Sequence, residues 1–227
     1  ALAGRTARHA APDGRPPPRG RPAARVGAMG VDISKLGPID GAPADFDGSA
    51  ELAKWQIPIG EIKGLAKTLK ARAKGTQGGK VRNERIGKGH FGEVLKAEWR
   101  GEAVVVKMSR ILDDPKRLKD SRQDLENEAY ILAAVPPHEN LVQMRGIVVE
   151  DTPAPFLGIV LAFCEGGAMK AVFKERTFDV RQKVVILHGV AHGIAHLHRM
   201  GIEHRDLWPA NILLDGDLTP RIADFGL

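Results

Sequence analysis

The stretch Ile202-Glu203-His204-Arg205-Asp206-Leu207-Trp208-Pro209-Ala210-Asn211-Ile212-Leu213-Leu214 is followed, seven residues later, by Ile222-Ala223-Asp224-Phe225-Gly226-Leu227, and these two runs decide how the 227-residue chain is read. Taken singly their polar residues say little, because an Asp after an Arg is ordinarily a solvated surface residue. Their weight comes from what stands upstream. Just before them, after Phe178-Asp179, Val180 to His198 reads as one long helix, with Val184, Leu187, Val190, Ala191, Ile194 and Leu197 mostly at helical spacing. His188, His192 and His196 recur every four residues along it. Imidazoles two turns apart are separated by about 12 Å. That is too far to share one zinc ion, and no Cys cluster accompanies them, so the row reads as a solvated face.

Further upstream, Leu157-Gly158-Ile159-Val160-Leu161-Ala162-Phe163 is a nearly continuous apolar strand, broken by Cys164-Glu165-Gly166-Gly167. Glu126-Asn127-Glu128-Ala129-Tyr130-Ile131-Leu132 sits on a helical pattern. Leu125, Ala129, Leu132 and Val135 share one side, and the helix should close before Pro136-Pro137. Earlier still, Val81 to Ile86 reads as a strand. It leads into Gly87-Lys88-Gly89-His90-Phe91-Gly92-Glu93-Val94 and a second strand ending at Trp99. Arg100-Gly101-Glu102 then turns the chain into Ala103-Val104-Val105-Val106-Lys107-Met108. A dinucleotide-binding glycine loop stands between a strand and a helix. This one stands between two strands, a hairpin whose bare backbone can approach an anion closely.

Together these segments resemble the eukaryotic protein kinase domain. The glycine hairpin is similar to the family's glycine-rich loop, Lys107 falls at its strand-three lysine, and Glu128 at its helix-C glutamate, with Glu126 as the rival two residues away. His138-Glu139-Asn140-Leu141-Val142 supports Glu128. His204-Arg205-Asp206 with Asn211 resembles the catalytic loop, and Asp224-Phe225-Gly226 the metal motif. Trp99-Arg100-Gly101 and Gly193 to His198 look most like the tyrosine-kinase-like group of serine/threonine kinases.

The resemblance implies an α+β, protein-kinase-like fold: a complete small lobe of about five antiparallel strands with helix C, and a partial helical large lobe. It implies ATP- and Mg²⁺-dependent transfer of the γ-phosphoryl group to serine/threonine hydroxyls of a protein substrate. Gly87, Gly89 and Gly92 would close over the phosphates and Val94 over the adenine. Leu161 would be the gatekeeper, and the hinge backbone near Ala162 and Cys164 would bond the adenine edge. Lys107 would hold the α- and β-phosphates, braced by Glu128. Asn211 and Asp224 would bind Mg²⁺, a hard cation that takes oxygen ligands. Asp206 would orient the substrate hydroxyl and accept its proton.

Two departures qualify this. Serine/threonine-specific members usually carry Lys two residues after the catalytic Asp, and tyrosine-specific ones an Arg two residues further; here those positions hold Trp208 and Ala210. Losing a cation that meets charge developing in the transition state costs several kcal/mol, and each ~1.4 kcal/mol is tenfold in rate. The alternative is therefore a pseudokinase acting as a nucleotide-binding or scaffolding module. The chain also stops at Leu227, directly after the metal motif. It is therefore read as a fragment of a kinase, with little stability and little or no activity expected of it alone.

The N-terminal third is different material. Ala1 to Gly30 holds eight Ala, six Arg, five Pro and five Gly against one acid, Asp13. Such a segment cannot bury enough apolar surface to order itself, so residues 1–50 are read as a disordered tail and linker. An acid-poor, Arg-rich start also suits an organellar transit segment, although Pro16 to Pro18 opposes the amphipathic helix such segments form. Met29-Gly30-Val31-Asp32-Ile33-Ser34 fits a myristoylation pattern if Met29 is the true start, with weak membrane association as the consequence. Residues 51–79 read as a short basic helix, Ile62 to Ala73, and a glycine-rich linker. The helix either packs on the following domain or presents a basic surface. The small lobe is placed at 80–163 and the hinge with the partial large lobe at 164–227.

The formal charge of +6 owes much to the tail and gives no argument for nucleic acid. No apolar run is long enough to span a membrane. A lone cysteine, Cys164, excludes an internal disulfide and suits a reducing, cytoplasmic setting.

Overall fold

The computed structural model describes residues 52–73, 85–88, 93–108, 115–150 and 156–224, all within one unit, Val31–Leu227. The tail and linker of residues 1–50, the Met29–Ser34 motif, the linker 75–79, Gly89, Gly92 and Phe225–Leu227 lie outside the described residues.

Five strands form an antiparallel sheet: β1 (Arg85–Lys88), β2 (Glu93–Trp99), β3 (Glu102–Met108), β4 (Met144–Glu150) and β5 (Phe156–Ala162), in the order β1-β2-β3-β5-β4. Of the strand expected over Val81 to Ile86, residues 81–84 lie outside the described residues; the described strand carries Arg85 and Ile86 on through Gly87, so the glycine hairpin begins inside it, and Lys88 pairs with Glu93. At the next turn Arg100 and Gly101 both have positive φ, 53° and 84°, which suits the tight hairpin that registers Trp99 against Glu102.

β3 and β5 are apolar on both faces, and a strand of that kind needs cover on both. On the inner face Val105, Ile159 and Leu161 join Leu125, Ala129, Tyr130 and Leu132 of helix α2 (Pro115–Ala134) in one core. On the outer face Leu95, Val104, Val106, Met108, Val148 and Val160 are covered by Ile57, Ile62 and Leu65. Those three residues come from the segment ahead of Lys80, where the sequence reading begins the small lobe. From Leu52 on, described residues of that segment pack with the small lobe. Ile57 N donates to Ile147 O (2.8 Å) at the β4 edge, and Lys63 N donates to Glu98 O (2.9 Å) at the β2–β3 hairpin. The chain thus straps the sheet from one side to the other. A 3-10 turn (Ile59–Glu61) leads into helix α1 (Leu65–Ala73), shorter than the Ile62 to Ala73 expected because Ile62 is spent on a bridge to Trp99. Of the two readings of this helix, packing on the following domain is the one observed.

After the hinge come β6 (Gly167–Ala168), helix α3 (Met169–Glu175), helix α4 (Val180–Arg199), β7 (Ile212–Leu214) and β8 (Pro220–Ile222). A capping box starts α4: Gln182 N donates to Asp179 Oδ1 (2.7 Å) and Asp179 N donates to Gln182 Oε1 (3.1 Å). Gly189 and Gly193, one turn apart on α4, lie so close to Pro220, Ile222 and Asn140 that an added Cβ would come within 2.6–2.8 Å of them. That approach lets Asn140, on the connection from α2 to β4, meet β8: Asn140 Nδ2 donates to Pro220 O (3.1 Å) and Asn140 O accepts from Ile222 N (2.9 Å). Leu197 and Ile222 belong to the same core as α2, so one apolar cluster runs through both lobes. Val180, Val184, Val185 and Leu187 of α4 are exposed.

Candidate active site

The cleft residues come from four elements that are distant in the chain. Lys107, in the central strand β3, is almost fully buried, and its Nζ lies 2.6 Å from Glu128 Oε2 on α2. The same Nζ contacts Asp224 Oδ1, just past β8. The helix-C carboxylate on the lysine is therefore that of Glu128; its rival Glu126 is also buried on the same helix.

Burial by itself pulls the Lys107 ammonium down, but Glu128 and Asp224 more than offset it and hold it above its ordinary 10.5. Burial pushes the Glu128 carboxyl up; Lys107 opposes that rise and Asp224 adds to it. One cation serves two carboxylates, so the more deeply buried acid is the harder to keep ionised. Among the described residues Glu128 Oε1 has no hydrogen-bond partner, which adds to that difficulty.

The catalytic-loop residues assemble around Asn211. Its Nδ2 donates to Asp206 Oδ2 (2.9 Å) and to Asp206 O (3.0 Å), its N donates to Trp208 O (2.9 Å), and its O accepts from Ala223 N (2.9 Å). The β7–β8 register sets Ile212 against Ile222, which puts Asn211 and Asp224 at the same end of that hairpin. Buried His204 adds a tie, Nε2 to Ala223 O at 3.0 Å. Arg205 (φ 58°) and Asp224 (φ 63°) both sit in the left-handed region. Such conformations are uncommon away from glycine and persist where the surroundings impose them. A continuous path therefore runs Asp206–Asn211–Ala223–Asp224–Lys107–Glu128.

Val94 and Leu161 pack in the inner core beneath the sheet. Cys164 is buried at the hinge, and burial, with Asp215 next, pushes its thiol up to about 12. It is an inert residue there. Asp206 and Trp208 are exposed, Trp208 by 43%.

Two features were not legible in the chain. Lys170, at the start of α3, places its Nζ 4.4 Å from the Trp208 ring centroid and donates its backbone N–H to Pro209 O (2.8 Å). Helix α3 is thus docked on the catalytic loop, and no local pattern links residues so far apart. The histidine row also has a structural use at one end: His196 stacks on His138 (4.6 Å between centroids) and bonds Pro136 O (3.2 Å). No group of three or more His, Cys, Asp or Glu suited to a metal occurs among the described residues, and none of their helices is long and apolar enough to cross a membrane.

A five-stranded antiparallel sheet with one helix, followed by a helical lobe, with a lysine meeting a glutamate and an aspartate between them, is the architecture of a eukaryotic protein kinase domain. Residues 81–227 match the family described as protein tyrosine and serine/threonine kinase, and the chain belongs to that family. It is similar to a putative cysteine-rich receptor-like protein kinase 32 of Arabidopsis thaliana, 33% identical over 162 residues. That alignment covers 64% of this chain and 23% of the relative, so the chain spans about a quarter of that protein's length.

Proposed function

We propose that this kinase domain transfers the γ-phosphoryl group of ATP, with Mg²⁺, to serine or threonine hydroxyls of protein substrates. The observation that carries the proposal is the meeting of Lys107 with both Glu128 and Asp224 across the two lobes.

The residues present suit the implied groups. Asp224 and Asn211 offer a carboxylate and an amide oxygen, donors that a hard divalent cation takes. With Asn211 Nδ2 committed to Asp206, its Oδ1 is the atom left to serve as ligand. Bound there, Mg²⁺ would supply charge neutralisation of the phosphates. Lys107, braced by Glu128, supplies a fixed positive charge for phosphate oxygens. Gly87, Gly89 and Gly92 would bring backbone over them, Val94 and Leu161 would line the adenine side, and the backbone near Ala162 and Cys164 would bond its edge. Asp206, oriented by Asn211 (2.9 Å), positions the substrate hydroxyl and accepts its proton as the new bond forms. Pro209 keeps the loop in a serine/threonine-like form. The setting is taken as cytoplasmic, which a lone cysteine suits.

One observation favours a second reading, a nucleotide-binding or scaffolding module without turnover. Position 208 is a tryptophan whose ring faces Lys170, so the loop has no cation of its own two residues after Asp206. The two readings separate in one experiment. The chain is incubated with radiolabelled ATP, Mg²⁺ and a generic protein acceptor, and its melting point is followed with ATP·Mg²⁺. Transfer that disappears in Asp206→Asn and Lys107→Met supports the enzyme. A rise in melting temperature with no transfer supports the module, and neither signal defeats both.

A further inference from the structure

We propose that the segment Leu52–Ile57 is a positioning element for Glu128, holding helix α2 so that the Lys107–Glu128 pair stays closed. The inference deepens the reading above and rests on it for the pair's importance to phosphoryl transfer. The segment joins the β4 edge of the sheet: Ile147 N donates to Trp55 O and Ile57 N to Ile147 O, both at 2.8 Å, with Gln56 bridged to Ile147 in parallel. It runs so close over β4 that a Cβ on Gly146 would stand 2.5 Å from both Trp55 O and Ile57 Cδ1. No side chain fits there unless the segment moves.

The two ends of this segment serve different cores. Leu52, fully buried, belongs with Trp55 to the inner core that contains Leu125, Ala129, Tyr130 and Leu132 of α2, the helix that carries Glu128. Ile57 and Ile62 belong to the outer core, on the far face of the sheet. Glu128 is one residue from Ala129, so an inner core that loses Leu52 lets α2 shift and carry Glu128 away from Lys107. Loss of cover at Ile62 disturbs only the outer face. Packed cores shift between discrete arrangements rather than deforming continuously, which makes the pair responsive to the segment.

The test reads the pair itself and needs no turnover. The intact chain is pulsed with an amine-reactive acetylating ester at fixed pH, and modification of Lys107 is followed by peptide mass mapping. Closed against Glu128 and Asp224, Lys107 reacts slowly. Gly146→Ala and Leu52→Ala are expected to speed its labelling several-fold and to hasten hydrogen exchange of the α2 amides around Glu128, while Leu52→Met restores the wild-type rate. Ile62→Ala, a comparable truncation in the outer core, is the control and should leave Lys107 within twofold of wild type. If Leu52→Ala does not fold, Leu52→Val and Gly146→Ala answer the same question. Equal labelling in all variants, or labelling that only tracks lost melting temperature with Ile62→Ala included, overturns the proposal. Absence of phosphotransfer in the wild type would defeat the enzyme reading while this measurement still gives its own answer.

Discussion

Lys107 Nζ is 2.6 Å from Glu128 Oε2, though the two residues are 21 apart in the chain and belong to a strand and a helix. Both are almost fully buried, and Asp224 joins them from 117 residues away. Removing one partner of a buried pair is far more damaging than the pair is stabilising, since it leaves an uncompensated charge. Lys107→Met leaves two acids facing each other, so it should destabilise the domain by about 3–5 kcal/mol. Glu128→Gln should do much less, because it removes the acid that burial already drives toward its neutral form. Adding Glu128→Gln to Lys107→Met should recover part of the loss. Urea unfolding of the three variants checks the order; Lys107→Met as stable as wild type would show that the pair is not closed in solution.

On the proposed reaction, position 208, two residues after Asp206, is where a cation would meet the transferring phosphoryl group, and it holds a tryptophan. Trp208→Lys should raise the phosphotransfer rate about tenfold or more, equivalent to ~1.4 kcal/mol of transition-state stabilisation. An unchanged or lower rate in a folded variant would show that the tryptophan does not limit the reaction.

His138 links the α2–β4 connection to α4. Burial lowers its pKa below the ordinary 6.5, and His196, His192 and Arg199 lower it further against the pull of Glu139. The folded state therefore binds this proton less tightly than the unfolded chain. Its contribution to stability is full above about pH 6.5 and is lost as pH falls through the lowered folded value. Melting temperature should drop on acidification through this range, and His138→Gln should flatten the slope. A slope untouched by that substitution would place the titration elsewhere.

Cys164, with its thiol pushed from 9.0 to about 12, carries roughly a thousandfold less thiolate than an ordinary cysteine at neutral pH. Iodoacetamide should modify it in urea and hardly at all in the native protein. Fast native alkylation would mean that the hinge opens.

Gly193 faces Asn140 O and Ile222 Cδ1, each 2.8 Å from where a Cβ would stand. Gly193→Ala gains helix propensity but overpacks the seam between α4, β8 and Asn140, for a net loss of about 1–3 kcal/mol. A variant more stable than wild type would mean that the seam is looser than its distances imply.

Much of this molecule could be read directly from neighbouring residues. Helix α4 announces itself by apolar spacing and by Asp179 and Gln182 at its start, and helix α2 by Leu125, Ala129 and Leu132 ahead of two prolines. The apolar runs of β3 and β5 signal strands buried on both faces, but not what covers them. Of that cover, Leu52 to Leu65, only Ile62 and Leu65 fall on a helical stripe, and the residues ahead of them keep no helical or strand period, so nothing local shows that they pack on the sheet. Lys170 against Trp208 escaped for a related reason, because each is an ordinary surface residue until helix α3 docks on the loop.

By itself, the order of residues determined which groups could do the chemistry: Lys107, Glu128, Asp206, Asn211 and Asp224, with glycines ahead of them. Local periodicity and turn chemistry also set most helices and strands, since those depend on residues within a turn or two of each other. Only the tertiary structure decided that Lys107 is shared by two acids, that Asn211 bonds Asp206, and that an upstream strap shares a core with the helix carrying Glu128. Each of these is a distance between residues far apart in the chain, fixed by how two cores pack against one sheet.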